Sequence, residues 1–353
     1  AGTNDNPSGI FFVGNGAATQ NSRITSVDGD ITITGLPGTA TGASNMGLVM
    51  YNGASIESTG SGNVTVSGTV SPGGGSPNHG ILLAGGGTSV IDATMYRTTI
   101  KSNSGNVTMT GVGQGSGADV RGIKMQGATE VSSTSGNVTI TGTTLSGTSP
   151  IGIELADDSN YSRDPIVLGG SGTLKFVADT ISISSTLNNT VSGTGNLVFE
   201  PSTAASTIGI AGGAGTFNLS TTTLGNIVNG FTSITIGRSD GTGAVDIQAY
   251  TFKDPIAVRS PGVAGSITVN GALATGSAGG ETGSITLTAG TGNSGTLTVA
   301  AGGSINAQAE AITLTADSIA LGGAANSIQS TGAITLQPAS TARPIVVAAT
   351  GAA

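Results

Sequence analysis

Gly62-Asn63-Val64-Thr65-Val66 is one copy of an arm that decides the fold: a glycine, then asparagine or aspartate, then an aliphatic–threonine–aliphatic triplet. Three further copies begin at Gly29, Gly105 and Gly136. The alternation of aliphatic residues with threonine is the period of a β-strand that buries one face. We therefore predict that Val64 and Val66 point into a core and that Thr65 points outward.

A second arm opens with glycine and an aliphatic residue, and it alternates with the first along the chain. Its copies begin at Gly47, Gly80, Gly122 and Gly152. The step from a first arm to the next second arm is nearly constant in length, whereas the return from Gly80 to the first arm at Gly105 is much longer than the other returns. Such near-periodicity predicts stacked coils of a solenoid, with one corner that accepts insertions.

Beyond residue 163 the repeat changes style. Residues 164–263 lose the Gly-Asn-Val pattern but keep short strand-like segments at 174–177, 181–183, 197–199, 217–219 and 234–236. From residue 264 onward the arms are short and regular, and the spacing of Ile305, Ile312, Ile319 and Ile328 predicts that Ile328 lies one full coil beyond Ile305. The fold class predicted is all-β: a parallel β-helix (β-solenoid) with roughly triangular coils and an aliphatic core. Segments 1–163, 164–263 and 264–353 would form one continuous rod.

Composition excludes several classes of protein. The 353 residues include 61 glycines and no cysteine, 36% are hydrophobic, and only 8% are charged. The β-branched content and regular spacing argue against disorder. A net charge of −8 without a basic cluster argues against nucleic-acid binding. No apolar run approaches the ~18 residues that a membrane helix needs, so we expect no membrane insertion. Without cysteine, disulfides are excluded, a zinc site is disfavoured, and no cofactor is expected.

Three segments carry a resemblance to a known family: the arm at 136–142, the arm at 284–289, and residues 215–241. They resemble the repeat regions of large filamentous-haemagglutinin-like exoproteins, the bacterial adhesins secreted with a dedicated partner. The resemblance implies a right-handed β-helix, an extracellular or outer cell-surface location, and a role in adhesion. Asn6-Pro7-Ser8-Gly9 is similar to a secretion signature of that family, but we interpret it as another arm, because the Gly-Ile start recurs.

The favoured function is a structural and adhesive segment of an extracellular fibre, which is not an enzyme. Neither end of the sequence has the amphipathic character of a polar cap, so we expect association end to end, with itself or with continuing chain. Other cell surfaces or glycans are further expected partners. Two alternatives stay open: a glycan-binding or glycan-cleaving β-helix protein, and a surface-binding module for ice or glycans built on threonine ladders.

Few residues could carry catalysis or bind a metal. One loop gathers Glu154, Asp157, Asp158 and Asp164 with Tyr161 and Arg163. It is interpreted as a solvated corner, with a calcium or sugar site as the alternative, for which Asp157, Asp158 and Asp164 are the weak metal candidates.

His79, the only histidine, is interpreted as a loop residue without catalytic partners. Asp240 and Asp246 flank a glycine turn, where aspartate commonly bonds its own backbone. The glycine runs at 73–75 and 85–87 lack the lysine and helix of a phosphate-binding loop.

Outward threonine pairs are the better surface candidates, although threonine is also a favourable exposed strand residue in its own right. The predicted ladder comprises Thr32, Thr34, Thr108, Thr110, Thr139, Thr141, Thr286 and Thr288, with Thr313 and Thr315 as a further pair. Asn-x-Thr sequons recur at Asn63, Asn106 and Asn137, where we expect the asparagines to serve the coil corner rather than a glycan.

Overall fold

The computed structural model describes residues 8–14, 22–36, 44–73, 75–86, 97–158, 164–276, 283–291, 295–340 and 347–349. These residues form an almost entirely β structure of two compact units. The first unit comprises Ala1–Gly195 and Gly225–Val228, and the second comprises Asn196–Leu224 and Asn229–Ala353. A short helix, α1, covers Thr221–Gly225.

Strands of the first unit follow one another in a repeating order of three. They are β1 (Ser8–Val13), β2 (Arg23–Ser26), β3 (Ile31–Gly35), β4 (Asn45–Tyr51), β5 (Ser55–Ser58), β6 (Val64–Thr69), β7 (Asn78–Ala84), β8 (Thr98–Ser102), β9 (Val107–Gly113), β10 (Val120–Gln126), β11 (Thr129–Ser133), β12 (Val138–Thr144), β13 (Ile151–Ala156), β14 (Ile166–Leu168), β15 (Leu174–Val177), β16 (Ile181–Ile183) and β17 (Val191–Ser192).

Every third strand joins the same sheet. Sheet A has the order β1-β4-β7-β10-β13-β16, sheet B has β2-β5-β8-β11-β14-β17, and sheet C has β3-β6-β9-β12-β15. Neighbouring strands are parallel, as in the pairs β4–β7, β5–β8 and β6–β9. Three sheets, each receiving one strand from every coil, are the parallel β-helix with three-sided coils that the sequence predicts.

The second unit repeats the arrangement with shorter strands. They are β18 (Asn196–Glu200), β19 (Ile208–Ile210), β20 (Phe217–Leu219), β21 (Ser233–Ile236), β22 (Ala244–Ile247), β23 (Tyr250–Phe252), β24 (Ile256–Arg259), β25 (Ser266–Val269), β26 (Ala272–Thr275), β27 (Ile285–Thr288), β28 (Thr296–Val299), β29 (Ser304–Asn306), β30 (Ile312–Thr315), β31 (Ser318–Leu321), β32 (Ile328–Gln329), β33 (Ile334–Gln337) and β34 (Val347–Ala349).

Here too the sheets collect strands in sequence order, except that β20 lies at the edge of its sheet, beyond β19. Sheet D has β20-β19-β22-β25-β28-β31-β34, sheet E has β23-β26-β29-β32, and sheet F has β18-β21-β24-β27-β30-β33. Ile305 is opposite Ile328, which confirms the coil length predicted there. All five strand-like segments predicted between residues 174 and 236 are strands, which confirms those assignments. The division at residues 163 and 263, and its continuity as one rod, stay predictions.

The core consists of like residues stacked from coil to coil. On sheet C, register places Val64, Val107 and Val138 in one inward column, and each is fully buried. Thr65, between the buried Val64 and Val66, is partly exposed, as its alternate position predicts. Burying each large aliphatic side chain contributes roughly 1.5–3 kcal/mol, so stability accumulates coil by coil.

Glycine columns bring sheets A and C unusually close at one corner. A Cβ on Gly68, Gly111 or Gly142 would collide with the backbone of Gly80, Gly122 or Gly152, respectively. Both glycine columns, the one on sheet C and the one on sheet A, therefore allow this close backbone approach. The insertion at residues 87–96, within the longest return connection, lies outside the described residues.

Candidate binding surfaces

The outward threonines of sheet C form two columns in register. Strands β3, β6, β9 and β12 place their hydroxyl residues opposite one another, and we call the set the hydroxyl array: Thr32, Thr65, Thr108 and Thr139 in one column, with Thr34, Ser67, Thr110 and Thr141 in the other. Stacked strands lie about 4.8 Å apart and alternate residues about 7 Å apart, so the array is a regular two-column grid.

The array is uninterrupted over four strands and then stops. On β15, Lys175 and Val177 occupy the two column positions. The hydroxyls interact with each other in places, since Ser67 Oγ donates to Thr34 Oγ1 at 3.1 Å. Thr32 and Thr34 are exposed, whereas the later members are partly buried.

Sheet F carries a shorter counterpart in the second unit. Thr286 and Thr288 of β27 are opposite Thr313 and Thr315 of β30. On the preceding strand, β24, the column positions are Ala257 and Arg259, which interrupt the hydroxyl rows. The predicted threonine ladder therefore consists of two patches, one on sheet C and one on sheet F, from different parts of the sequence. The patch on sheet C is the more regular.

The sequon asparagines form a structural column at a coil corner. Asn63 Oδ1 accepts the backbone N–H of Asn106 at 2.9 Å, and Asn106 Oδ1 accepts that of Asn137 at 2.8 Å. Asn137 Oδ1 in turn accepts the N–H of Thr173 at 2.8 Å. Each side chain thus satisfies a backbone donor of the next coil, which confirms that these asparagines serve the corner.

A charged cluster that the sequence analysis did not recognise lies on the outer face of sheet A. Register places His79 of β7 opposite Arg121 of β10, and Lys124 opposite Glu154 of β13. We define the sheet A cluster as His79, Asp119, Arg121, Lys124 and Glu154. Arg121 Nε donates to Glu154 Oε2 at 2.8 Å and its Nη2 lies 3.3 Å from Asp119 Oδ1.

The positive and negative charges within the sheet A cluster balance each other. Lys124 Nζ lies 3.6 Å from Asp119 Oδ2 and 3.5 Å from Glu154 Oε2. Two carboxylates therefore face two cations, and the imidazole of His79 adds no charge at neutral pH. Burial lowers the pKa of His79 to about 4, against the opposing attraction of Asp119. His79 Nε2 lies 3.7 Å from Asp119 Oδ2, and Nδ1 has no hydrogen-bond partner among the described residues.

The interpretation of His79 as a loop residue is wrong. It lies within strand β7 and is 2% exposed. The signal that could have revealed it is its place directly before the recurring Gly80, because Arg121 has the same place before Gly122. Residues at one repeat position stack, so the imidazole and the guanidinium had to share a face.

The weak metal candidates are not drawn into a common site. Asp158 accepts a hydrogen bond from Gln126 Nε2 at 3.1 Å, and Asp164 accepts one from Asn188 N at 3.4 Å. Asp157 is exposed. Across the described ranges, no three histidine or acidic side chains are grouped as metal ligands. Tyr161 and Arg163 lie outside the described residues.

The aspartates of the second unit have structural partners. Asp246 accepts hydrogen bonds from Ala214 N and Asn270 Nδ2, both at 2.7 Å. Asp240 pairs with Arg238 Nε at 2.8 Å, and that hydrogen bond lowers the carboxyl pKa. Both carboxylates therefore bind neighbouring protein groups.

Comparison with known proteins gives no relative for this chain: no protein-family model matches it, nor does a curated protein or a solved structure. In the part of the chain that the structure describes, no helix has the length and apolar character required to span a bilayer.

Proposed function

We propose that this chain is a structural and adhesive segment of an extracellular or cell-surface fibre, of the kind that its resemblance to filamentous-haemagglutinin-like repeats suggests. The observation that carries the proposal is the stacking of like residues in register over successive coils. Aliphatic columns fill the interior, asparagine and glycine columns occupy the corners, and hydroxyl columns cover one outer face.

Such columns supply stiffness and a repeated surface together. Backbone hydrogen bonds run from coil to coil, and the corner asparagines add a side-chain bond at each step. A slip of one strand by one residue would turn the aliphatic column outward, so the register is strongly specified. The hydroxyl array then presents the same groups at fixed spacing, which favours many weak simultaneous contacts with a partner surface.

We propose further that the segment is not catalytic, although the sheet A cluster brings acids and bases onto one face of a sheet, as a glycan-cleaving protein would require. In support, each acidic group there is already paired with Arg121 or Lys124, and the one imidazole is buried. Incubating the 353-residue protein with neutral and uronate polysaccharides should release no reducing ends or unsaturated products. Product release that His79→Gln abolishes would overturn this part of the proposal.

Electron microscopy of the native assembly tests the fibre proposal. We expect thin fibres of constant width, and antibodies against this segment should bind along them at regular positions. The proposal would be wrong if both preparations from cells and purified protein contained only isolated, dispersed particles that never associate end to end.

A second function is favoured by the geometry of the hydroxyl array alone. Its two columns form a rectangular grid of small hydroxyl side chains, which suits binding to an ordered surface such as ice. The test is ice affinity of the whole chain, compared with a Thr108→Val and Thr139→Val double variant. Thr99→Val, on sheet B, is the control. Ice adsorption that the double variant loses supports this function, and adsorption that it keeps excludes the array as the contact.

A further inference from the structure

The outer face of sheet B in the first unit carries a groove that crosses successive coils. Its volume is about 540 Å³, which lies within the range of ligand pockets. The side chains that matter most are contributed by β5, β8, β11, β14 and the turn after β8: Glu57, Lys101, Asn103, Glu130, Ser132 and Leu168.

Register explains why these residues meet. Glu57 of β5 is opposite Lys101 of β8, Lys101 is opposite Ser132 of β11, and Ser132 is opposite Leu168 of β14. Four stacked strands span about 14 Å at the usual spacing. The groove therefore runs across the strands, in the direction in which the coils stack.

The charges of the groove are compensated within the protein. Glu57 Oε1 lies 3.1 Å from Lys101 Nζ, and Glu57 Oε2 lies 2.6 Å from Arg23 Nη2. Burial raises the pKa of Glu57, but hydrogen bonds and charge from Lys101 and Arg23 outweigh it and lower the pKa. Glu130 has a cationic neighbour as well, since its Oε2 lies 3.9 Å from Arg97 Nε.

The lining combines hydrogen-bonding groups with one apolar side chain. Lys101 is 39% exposed and can donate to a ligand, and Glu130 offers a carboxylate acceptor, whereas the Ser132 hydroxyl already donates to Glu130 Oε1 at 2.9 Å. Asn103 supplies both a donor and an acceptor. Leu168, at the end of the column, is partly exposed and offers an apolar contact. Dense hydrogen bonding beside a small apolar patch, with the charges compensated, matches the chemistry of an uncharged sugar chain.

We propose that this groove binds a short stretch of an uncharged oligosaccharide, aligned with the stacking direction of the coils. The ligand's hydroxyls contact Lys101, Asn103 and Glu130, and its less polar ring face contacts Leu168. This inference rests on the proposed adhesive function, to which it adds a ligand class and a location. A uronate chain is disfavoured because the cations beside the groove, Arg23, Lys101 and Arg97, are already paired with Glu57 or Glu130 and leave no unpaired positive charge for its carboxylates.

Calorimetric titration of the whole chain with three probes tests the proposal: cellohexaose and N-acetylchitohexaose as neutral chains, and hexagalacturonate as the anionic chain. At least one neutral probe should bind, and hexagalacturonate should bind at least roughly tenfold more weakly. Lys101→Ala combined with Asn103→Ala should weaken neutral binding roughly tenfold or more, through lost hydrogen bonds. The matched control, Lys175→Ala on sheet C, should leave affinity unchanged.

Three results would overturn the groove assignment: no binding of either neutral probe, stronger binding of the anionic probe, or unchanged affinity in the double variant. Unchanged far-ultraviolet circular dichroism and an unchanged melting midpoint show that the double variant is folded. A Leu168→Asp variant, checked for folding in the same way, is a second probe of the same groove and should also weaken binding of the neutral probe. Measuring fibre formation by the groove variants distinguishes the two proposals, because fibre formation depends on end-to-end association and not on the groove.

Discussion

Asn63 Oδ1 accepts the backbone N–H of Asn106 at 2.9 Å, although 43 residues separate the two in sequence. Asp30 does the same for Asn63, with its Oδ1 at 2.8 Å from the backbone nitrogen. One side-chain position on each coil therefore binds the backbone of the next, and the acceptor can be an amide or a carboxylate. This explains why the arm tolerates both Gly-Asp and Gly-Asn.

Replacing Asn106 with alanine should therefore destabilise the first unit. The variant leaves the N–H of Asn137 without its acceptor, at a cost of about 1 kcal/mol in the free energy of unfolding. Urea denaturation measures the loss. Asn106→Asp should retain most of the stability, because Asp30 shows that a carboxylate fits this position. Asn103→Ala is the control, and equal losses for the aspartate and alanine variants at Asn106 would contradict the explanation.

Gly111→Ala should be more damaging, because the backbone of the neighbouring strand occupies the space that a Cβ needs. The added carbon would meet the carbonyl oxygen of Gly122 and the side chain of Ile123. Overpacking of this kind costs roughly 1–3 kcal/mol. Gly225→Ala is the control, since no atom outside its chain neighbours and the backbone of α1 lies within 4 Å of the position that its Cβ would take. Thermal denaturation should show a lower midpoint for Gly111→Ala alone, and equal midpoints would refute the close approach.

Sequence predicted the local parts of this structure well, because strand alternation is a local property. Val64, Thr65 and Val66 have the predicted sides, and the strands of the first arm begin directly after the Gly-Asn or Gly-Asp pair. The strands of the second arm begin one or two residues before their glycine, earlier than the sequence predicts. The sequence alone did not show why both glycine columns are needed, because the close backbone approach is between residues of different strands. Gly111 and Gly122 are close in sequence, but only the folded corner shows that their backbones touch.

The candidate sites were harder to predict, since they depend on neighbours from different coils. Glu57 is opposite Lys101 and Lys101 is opposite Ser132, although the intervening stretches of chain differ in length. Unequal coil lengths hide such pairs from any fixed repeat period. A register anchored on the recurring glycines would have aligned His79 with Arg121, as the structure does. The hydroxyl array was predictable because threonine recurs at one position of the regular arm.

Arg121 and Glu154 should be energetically coupled. Two hydrogen bonds join them, from Nε at 2.8 Å and from Nη2 at 3.4 Å, and both side chains are more than four-fifths buried. Removing one partner leaves a poorly solvated charge, so Arg121→Met and Glu154→Leu should each destabilise the unit. The double variant should recover part of the loss, with a coupling of roughly 0.5–3 kcal/mol in a double-mutant cycle. Strict additivity of the two single losses would show that the pair contributes nothing.

His79 should make the stability of the first unit fall in mild acid. Burial lowers its folded-state pKa to about 4, whereas the ordinary value is 6.5. Between these values the unfolded chain binds a proton that the folded chain does not, so stability decreases as pH falls from 6.5 towards 4. The difference corresponds to roughly 3 kcal/mol once the full range is crossed.

A matched variant separates the histidine from its neighbours. Asp119 and Glu154 face His79, together with Arg121 and Lys124, so four charged groups surround the imidazole. Because His79→Gln removes the imidazole and keeps these four groups, the difference between the two proteins isolates the histidine. Denaturation from neutral pH to about pH 4.5 should show a steeper loss for the natural protein than for His79→Gln. Parallel curves would mean that His79 is protonated as easily in the folded chain as in the unfolded one, which its burial against Asp119 and Arg121 argues against.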